Sequence, residues 1–344
     1  MTPRTGIGPF GTSGLAVALW LIPALVAAHH SPAAFDLRRE LRLDGVVTKI
    51  EWANPHVYIT IQVDNAAGER VMWVIEAGAP GFMTRLGWTG RSLAPGERVI
   101  VAANPARNSD RKMAVGNSVL KRDGTLFSIR GSGIPPALAA EDAPTPLVAK
   151  DLSGRWLTRW SPDGPLFQAR QSWPLTAKGR AAVERYDASV DPGKDCIPQT
   201  VPLYMVWPNV KSIEVGEKVT VIRSELDGER TVHMGAASHG EVPRTYQGHS
   251  IGRWEGTVLV VDTARFSEHT NGHGWGLPSG GQKHLVERFE LSPTRITFRY
   301  TFQIDDPEYL VTPVRGILEF VYRPDLPLVI LPCDPEVARR GFEK

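Results

Sequence analysis

The chain has 344 residues, of which 42 % are hydrophobic and 22 % are charged, and its formal net charge is +2. That length allows two domains with cores of their own. Basic residues are spread along the sequence rather than clustered, so the sequence shows no nucleic-acid footprint, and we expect no nucleic-acid partner. With 33 glycines and 28 prolines, the composition favours a turn-rich β protein over a helical one.

Residues 1–28 have the pattern of a secretory signal peptide. Arg4 supplies a positive charge, and residues 15–28 form an apolar run that has the length of a signal core and is short for a membrane span. Cleavage after Ala28 fits the requirement for small residues better than cleavage after Ala27. The alternative is an uncleaved anchor helix. We expect a periplasmic or secreted protein with no transmembrane segment after signal removal.

Residues 29–130 are predicted to form a small barrel of the OB type. From residue 41 onward, apolar and polar residues alternate with a period of two, interrupted by a turn at Asn54-Pro55 and a short helix or turn in "PGFMTRLGW". About five strands and one small helix fit a compact five-stranded barrel. Residues 131–150, rich in Pro, Ala and Gly, are predicted to be a linker between two domains.

Residues 151–344 are predicted to form a second, larger barrel. "LTAKGRAAVERYD" predicts a helix, and the region contains about eight sequential strands, two of them joined as a hairpin at Asp227-Gly228. Closure removes exposed edges, so this number of antiparallel strands favours an up-and-down barrel. Gly154-x-Trp156 resembles the opening of lipocalin-like barrels. We therefore expect a mostly β chain, in which an OB-like barrel precedes a lipocalin-like antiparallel barrel.

Cys196 and Cys333 are the only cysteines of the chain. In an exported protein such a pair favours one disulfide, which would tie the early part of the second domain to the chain end. The alternative is two buried free thiols.

The start of the mature chain is a predicted metal site. After cleavage at Ala28, the α-amine and imidazole of His29 can chelate one metal ion, and His30 offers a second imidazole. Cleavage one residue earlier gives Ala-His-His, which can also surround a metal with nitrogen ligands. Both sets suit Cu(II) or Ni(II), and we expect copper, with His56 as a third ligand. The alternative is a mobile tail whose histidines bind no metal.

Four motifs mark the first unit: His29-His30-Ser31, Trp52-Ala53-Asn54-Pro55-His56, Arg85-Leu86-Gly87-Trp88 and Leu93-Ala94-Pro95-Gly96. Together they resemble an uncharacterised family of small periplasmic OB-like domains, over residues 28–130. The resemblance implies that the three histidines of these motifs belong to one pattern. It implies no activity, because the family has none established.

The second unit contains "GHSIGRWEGTVLVVDT" at residues 248–263, together with Cys196-Ile197-Pro198, His284, Glu287-Arg288 and Asp306-Pro307. These residues resemble another uncharacterised family of exported bacterial proteins over most of residues 190–310. Gly256-Thr257 stands where such proteins usually have Gly-Asp, a change that affects a turn rather than the chemistry. This resemblance implies no reaction either.

Acid–base chemistry is predicted on the strands of the second unit. Alternation in "QKHLVERFEL" puts His284 and Arg288 on one face and Glu287 on the other. We expect His284 to act with Glu255 or Glu287 as a catalytic acid–base pair if these side chains converge. The alternative is that such polar residues form ordinary cross-strand ion pairs.

A small-molecule pocket is predicted inside the second barrel, because aromatic residues share one face of a strand. Its predicted lining is His249, Trp254, Asp262, Arg288, Phe298 and Tyr300. The two histidines of "SEHTNGHGWG" have helical ligand spacing, but the glycines of that stretch indicate a loop.

Three functions are consistent with these features. The first is an exported binding protein, with copper at the mature N-terminus and a small apolar ligand in the second barrel. The second is an enzyme that acts on an apolar small molecule through His284 and a carboxylate. The third is an envelope module that docks a protein partner. The first is preferred, because the export signal and the histidines at the cleavage point are independent features.

Overall fold

The computed structural model describes residues 35–129, 147–159, 172–207, 209–226 and 228–340. The predicted signal peptide and most of the predicted linker therefore lie outside the described residues. The chain is mostly β, as predicted, with one closed barrel in its N-terminal part and another in its C-terminal part.

The first barrel has five strands and one short additional strand. They are β1 (Leu41–Glu51), β2 (Tyr58–Asp64), β3 (Arg70–Glu76), β4 (Arg98–Pro105), β5 (Met113–Lys121) and the additional β6 (Leu126–Ser128). The sheet order is β3-β2-β1-β4-β5, and a parallel pairing of β3 with β5 closes it. Helix α1 (Pro80–Arg85) lies between β3 and β4 in the chain. The five-stranded OB-like barrel predicted from the sequence is confirmed.

Period-two alternation builds the core of the first barrel. Ile59 and Ile61 on β2, Ile75 on β3, and Val99 and Val101 on β4 are almost completely buried in one cluster. Each of these side chains points inward from alternate positions of its strand. Burial of such apolar side chains contributes about 1.5–3 kcal/mol each, so the alternation that predicts the strands also stabilises the barrel.

The second barrel has nine strands. They are β7 (Gly154–Thr158), β8 (Val210–Glu214), β9 (Val219–Ser224), β10 (Gly228–Met234), β11 (His249–Glu255), β12 (Val258–Ala264), β15 (His284–Leu291), β16 (Thr297–Asp305) and β17 (Val314–Tyr322). The neighbours are antiparallel except β10 and β11, which pair in parallel. β9 and β10 form the predicted hairpin, although Asp227 lies outside the described residues.

Side chains fill the interior of the second barrel. Trp156, Phe298 and Phe320 are fully buried, with the rings of Phe298 and Phe320 stacked at 4.6 Å between centroids. Beside them, Arg230 forms a buried pair with Glu287, with closest atoms at 2.5 Å. Inward-facing side chains of this size close the space that a ligand cavity would need.

The remaining elements lie between or beyond the barrel strands. They are the hairpin strands β13 (His269–Gly274) and β14 (Leu277–Ser279), the helices α2 (Ala177–Arg185), α3 (Leu203–Val206) and α4 (Pro335–Arg340), and the 3₁₀ turns Ala188–Val190 and Pro192–Asp195. The helix predicted in "LTAKGRAAVERYD" is α2. The predicted loop around residues 267–276 is largely the β13–β14 hairpin. Among the described residues, no helix is both long and apolar enough to cross a membrane.

The chain end returns to the first barrel. Cys196 and Cys333 form the predicted disulfide, with 5.9 Å between their Cα atoms. Helix α4 follows directly, and Val337 packs in one cluster with Tyr58 and Met113 of the first barrel. The C-terminal segment therefore joins the two barrels, in addition to closing the second domain.

Candidate functional site

Four histidines and one aspartate gather at one end of the second barrel. We call them the histidine–aspartate cluster: His233 on β10, His239 in the loop after it, His249 on β11, Asp262 on β12 and His284 on β15. The strand residues face outward, because the alternate positions of their strands are buried in the barrel. The cluster therefore lies on the outer surface, within reach of solvent.

Asp262 is the centre of the cluster. Its Oδ1 atom lies 2.9 Å from Nε2 of His239 and 2.9 Å from Nε2 of His284. A carboxylate only accepts hydrogen bonds, so both imidazoles donate to it. The bond from His284 lowers the pKa of Asp262, and the same bond raises the pKa of His284. Asp262 is therefore ionised at neutral pH, and protonated His284 is favoured beside it.

His249 has the opposite tendency. Its Nδ1 atom is 3.0 Å from Nδ1 of His239, and its ring stacks on that of His233 with 4.9 Å between centroids. Partial burial, followed by repulsion from His233 and His239, lowers the pKa of His249. The cluster thus combines one imidazole shifted toward its neutral form with another shifted toward its protonated form, a combination that acid–base chemistry uses.

The sequence singled out three members of this cluster, namely His249, Asp262 and His284. It missed His239, which lies in a loop without strand alternation, and His233, which lies on the predicted strand "RTVHM". The alternation in that strand already placed His233 on the outward face, so this signal was present.

The predicted pairing of His284 with Glu255 or Glu287 is not what the structure shows. Glu287 points into the barrel, where it binds Arg230 and accepts a 2.7 Å hydrogen bond from Tyr300. Glu255 forms ion pairs with Arg253 and Arg288 on the outer surface. The carboxylate beside His284 is Asp262 instead, and the two glutamates take part in cross-strand ion pairs.

The structure also separates the six residues of the predicted pocket. Phe298 and Tyr300 are fully buried in the filled interior, while His249 and Asp262 belong to the outer cluster. Arg288 pairs with Glu255 outside the barrel, and Trp254 is 44 % exposed at the end of β11. The inner and outer residues face opposite sides of one sheet, so they do not line a common cavity.

A second polar cluster is buried behind the first. Lys283 directly precedes His284 but points inward, where Nζ donates to Thr200 Oγ1 at 2.5 Å and to the Val201 carbonyl at 2.6 Å. Burial lowers the pKa of Lys283 to about 7. His273 on β13 donates to Asp306 at 2.8 Å, and burial lowers the pKa of His273 to about 4. The bond from His273 to Asp306 links the β13–β14 hairpin to the end of β16.

The predicted copper ligands are only partly described. His29 and His30 lie outside the described residues. His56 has Nδ1 at 3.0 Å from the Ala77 carbonyl, so that nitrogen is directed to the backbone. Within the described ranges, no group of three or more His, Cys, Asp or Glu side chains is arranged to hold a metal ion. Copper at the mature N-terminus stays a prediction.

A depression of about 400 Å³ opens at the mouth of the first barrel. Leu43 near the start of β1 belongs to the inner apolar cluster of the barrel, and the half-buried Leu41 and Trp73 pack against that cluster. These three side chains form the apolar floor of the depression. Its complete lining is Asp36, Arg39, Leu41, Leu43, Trp73, Pro105, Ala106, Arg107, Ser109, Arg111 and Lys112.

A second depression of about 430 Å³ shares Arg111 and Lys112 with the first. Its lining is Met72, Val74, Arg111, Lys112, Met113 and Arg340. We call the two together the basic groove. Arg340 belongs to α4 and is held by Glu51, with Nη1 and Oε2 at 2.6 Å. The lining of the groove therefore includes residues that are far apart in the sequence, such as Asp36 and Arg340.

Positive charge dominates the basic groove. Five of its side chains are Arg or Lys, and Asp36 is its one carboxylate. Within the described part of the chain, no carboxylate lies within ion-pair distance of Arg39, Arg111 or Lys112. The sequence did not indicate this groove, because its residues come from segments far apart in the chain.

The model of a family of unknown function, DUF6152, matches residues 18–115. The match covers less than a third of the chain and supports the predicted membership of the N-terminal part in an uncharacterised family. No curated protein matches the chain. The resemblance of the C-terminal part stays a prediction.

Proposed function

We propose that the protein is an exported binding protein for small apolar molecules that carry an acidic group, and that the basic groove is the binding site. The observation that carries this proposal is an apolar floor beside Arg39, Arg111 and Lys112, which have no carboxylate within ion-pair distance among the described residues. Barrel mouths are common ligand sites, and cavities of about 300–1,000 Å³ suit small molecules.

The two parts of the groove suit the two parts of such a ligand. Leu41, Leu43 and Trp73 offer apolar surface to a hydrocarbon chain. Arg39, Arg111 and Lys112 offer hydrogen-bond donors to a carboxylate at the rim, and no carboxylate of the described residues lies within ion-pair distance of them. Charge-assisted hydrogen bonds of this kind are stronger than neutral ones. The site therefore favours an amphipathic anion over a neutral hydrocarbon.

This proposal keeps the preferred function from the sequence but moves the apolar ligand from the second barrel to the first. The second barrel is filled by Trp156, Phe298, Phe320 and their neighbours. Export and N-terminal copper remain parts of the proposal. The measurement for both is N-terminal sequencing and metal analysis of the protein recovered from the periplasm.

Calorimetric titration with decanoate tests the groove. We expect one binding site with a Kd on the order of 10–100 μM. The double variant Arg39→Ala/Lys112→Ala removes two rim cations and is expected to bind about tenfold more weakly. The matched control, Lys178→Ala/Arg299→Ala, removes the same number of positive charges from α2 and β16 of the C-terminal part, where both side chains are exposed. Equal losses in both double variants would show that net charge, rather than the groove, sets the affinity.

A further inference from the structure

Three members of the histidine–aspartate cluster form a hydrogen-bonded row. His249 Nδ1 lies 3.0 Å from His239 Nδ1, and His239 Nε2 lies 2.9 Å from Asp262 Oδ1. A row of two imidazoles ending on a carboxylate orients the outermost imidazole, as an orienting group does for a catalytic base. We call this row the His249–His239–Asp262 relay.

The positions of the protons in the relay follow from Asp262, the acceptor at its end. Asp262 can only accept, so His239 Nε2 carries a hydrogen and donates it. In neutral His239, Nδ1 is then a lone-pair acceptor, and His249 Nδ1 must be the donor. In neutral His249 this leaves the lone pair on Nε2. The hydrogen-bond pattern therefore fixes the tautomer of both rings.

We propose that His249 Nε2 is a general base, in a site separate from the basic groove, for small neutral molecules that react by losing a proton. The relay supplies what such a base needs: a fixed ring orientation and a place for the charge that it acquires. This inference does not depend on ligand binding at the first barrel.

The proton balance of the step is simple. The substrate's proton moves to Nε2 of His249, and the electron pair of the broken bond stays on the substrate. The Nδ1 proton of His249 can then pass to Nδ1 of His239, so that the positive charge lies next to the Asp262 carboxylate. Charge that moves toward an opposite charge at 2.9 Å is stabilised. The reverse transfers return the proton to solvent.

The surroundings keep His249 accessible and neutral. His233 on β10 covers one face of its ring and is itself exposed, and the ring of His249 is half-buried. The other titratable groups facing the relay are His239 in the loop, Asp262 on β12 and His284 on β15. Burial and the two neighbouring imidazoles lower the pKa of His249, so the ring is unprotonated at neutral pH.

Labelling with diethyl pyrocarbonate tests the assignment without knowledge of the natural substrate. An unprotonated imidazole nitrogen attacks its carbonyl carbon, and monoethyl carbonate leaves. With peptide mass spectrometry at pH 6, we expect His249 to label about tenfold faster than His284, which protonation protects. His56, in the first barrel, serves as the internal reference. Labelling of His249 no faster than of His284 would overturn the proposal, and this test needs no variant.

The second measurement is the elimination of a nitrobenzisoxazole, which needs only a base. A C–H proton goes to the base, the N–O bond breaks, and a coloured phenolate is released. We expect the rate to fall at least about tenfold in His249→Gln and to fall less in His239→Gln, which loses the orientation of His249 and the place for its charge but keeps the base itself. In His56→Gln, which changes a histidine of the first barrel outside the cluster, we expect at least half of the wild-type rate. Unchanged rates in His249→Gln would contradict the assignment.

Discussion

Glu225 connects the two barrels through both its backbone and its side chain. Its carbonyl accepts a 3.0 Å hydrogen bond from Asn54 Nδ2 of the first barrel. Its carboxylate receives Arg85 Nη1 at 2.8 Å, with both side chains almost completely buried. Gly81 lies against it so closely that an alanine Cβ would stand 2.5 Å from Oε1. The junction therefore depends on a charge pair and on a missing side chain.

Replacing Arg85 by methionine is expected to cost about 3–5 kcal/mol in the free energy of unfolding, because it leaves the Glu225 carboxylate buried without its cation. The control is Arg159→Met, which breaks an exposed pair with Glu319 and should cost less than about 1 kcal/mol. Urea unfolding measures both. Equal costs for the two variants would contradict the structural importance of the Arg85–Glu225 pair.

For single residues, the sequence predicted the face of a strand on which a side chain lies more accurately than it predicted the residues that the side chain contacts. The prediction that His284 and Glu287 lie on opposite faces of their strand is confirmed. His284 belongs to the outer cluster, and Glu287 forms the buried pair with Arg230. The predicted partner of His284 was wrong, because a period-two pattern does not show which residues of neighbouring strands lie side by side. His239 was missed because the path of its loop follows from tertiary contacts, such as the bond to Asp262.

The β13–β14 hairpin contains His273, whose protonation is expected to change the free energy of unfolding. Unfolded His273 has a pKa of about 6.5, but burial lowers the folded value to about 4. Between these values the unfolded chain binds more protons than the folded chain. The stability that neutral, buried His273 contributes is therefore fully present above about pH 6.5. It is lost as the pH falls toward 4, by up to about 3 kcal/mol.

Unfolding in urea at pH 7 and pH 4.5 measures this loss. We expect the difference between the two pH values to shrink in His273→Asn, even though that variant is less stable at pH 7 without the imidazole bond to Asp306. The control is His56→Asn, in the first barrel, for which we expect the wild-type difference. An unchanged difference in His273→Asn would show that other groups cause the loss at low pH.

Helix α4 depends on the disulfide for its position. It begins two residues after Cys333, and the Cys196–Cys333 bridge closes a loop with a sequence separation of 137. Replacing both cysteines by serine is expected to destabilise the protein by about 2–5 kcal/mol, since the unfolded chain regains the freedom of that loop.

Hydrogen exchange gives the local measurement for this double variant. We expect faster exchange for amides of α4, such as the Ala338 N–H that donates to Asp334 at 2.8 Å. The amides of β4, a strand of the first barrel with no residue in the cluster that packs against α4, provide the comparison. If α4 exchanged at the wild-type rate, its packing against Tyr58 and Met113 alone would hold it.

For the whole molecule, the two closed barrels followed from strand number and alternation, and the disulfide followed from the cysteine count together with the prediction of export. The filled interior of the second barrel could not be predicted this way. A hollow barrel and a filled one share the same alternation, and the difference lies in how large side chains such as Trp156, Phe298 and Phe320 interdigitate.

The basic groove is the feature of the whole molecule that the sequence hid most completely. Leu41, Trp73, Lys112 and Arg340 come together only after the β3–β5 pairing closes the first barrel and α4 returns to it. Neither end of the chain contains a motif for an anionic ligand. A site assembled from such distant segments requires the complete fold.

A crystal structure of the protein with saturating decanoate tests the proposed function most directly. We expect electron density for one decanoate in the basic groove, with its carboxylate within hydrogen-bond distance of Arg39, Arg111 or Lys112 and its chain beside Trp73. Density for decanoate elsewhere on the protein, with the groove empty at the same concentration, would contradict it.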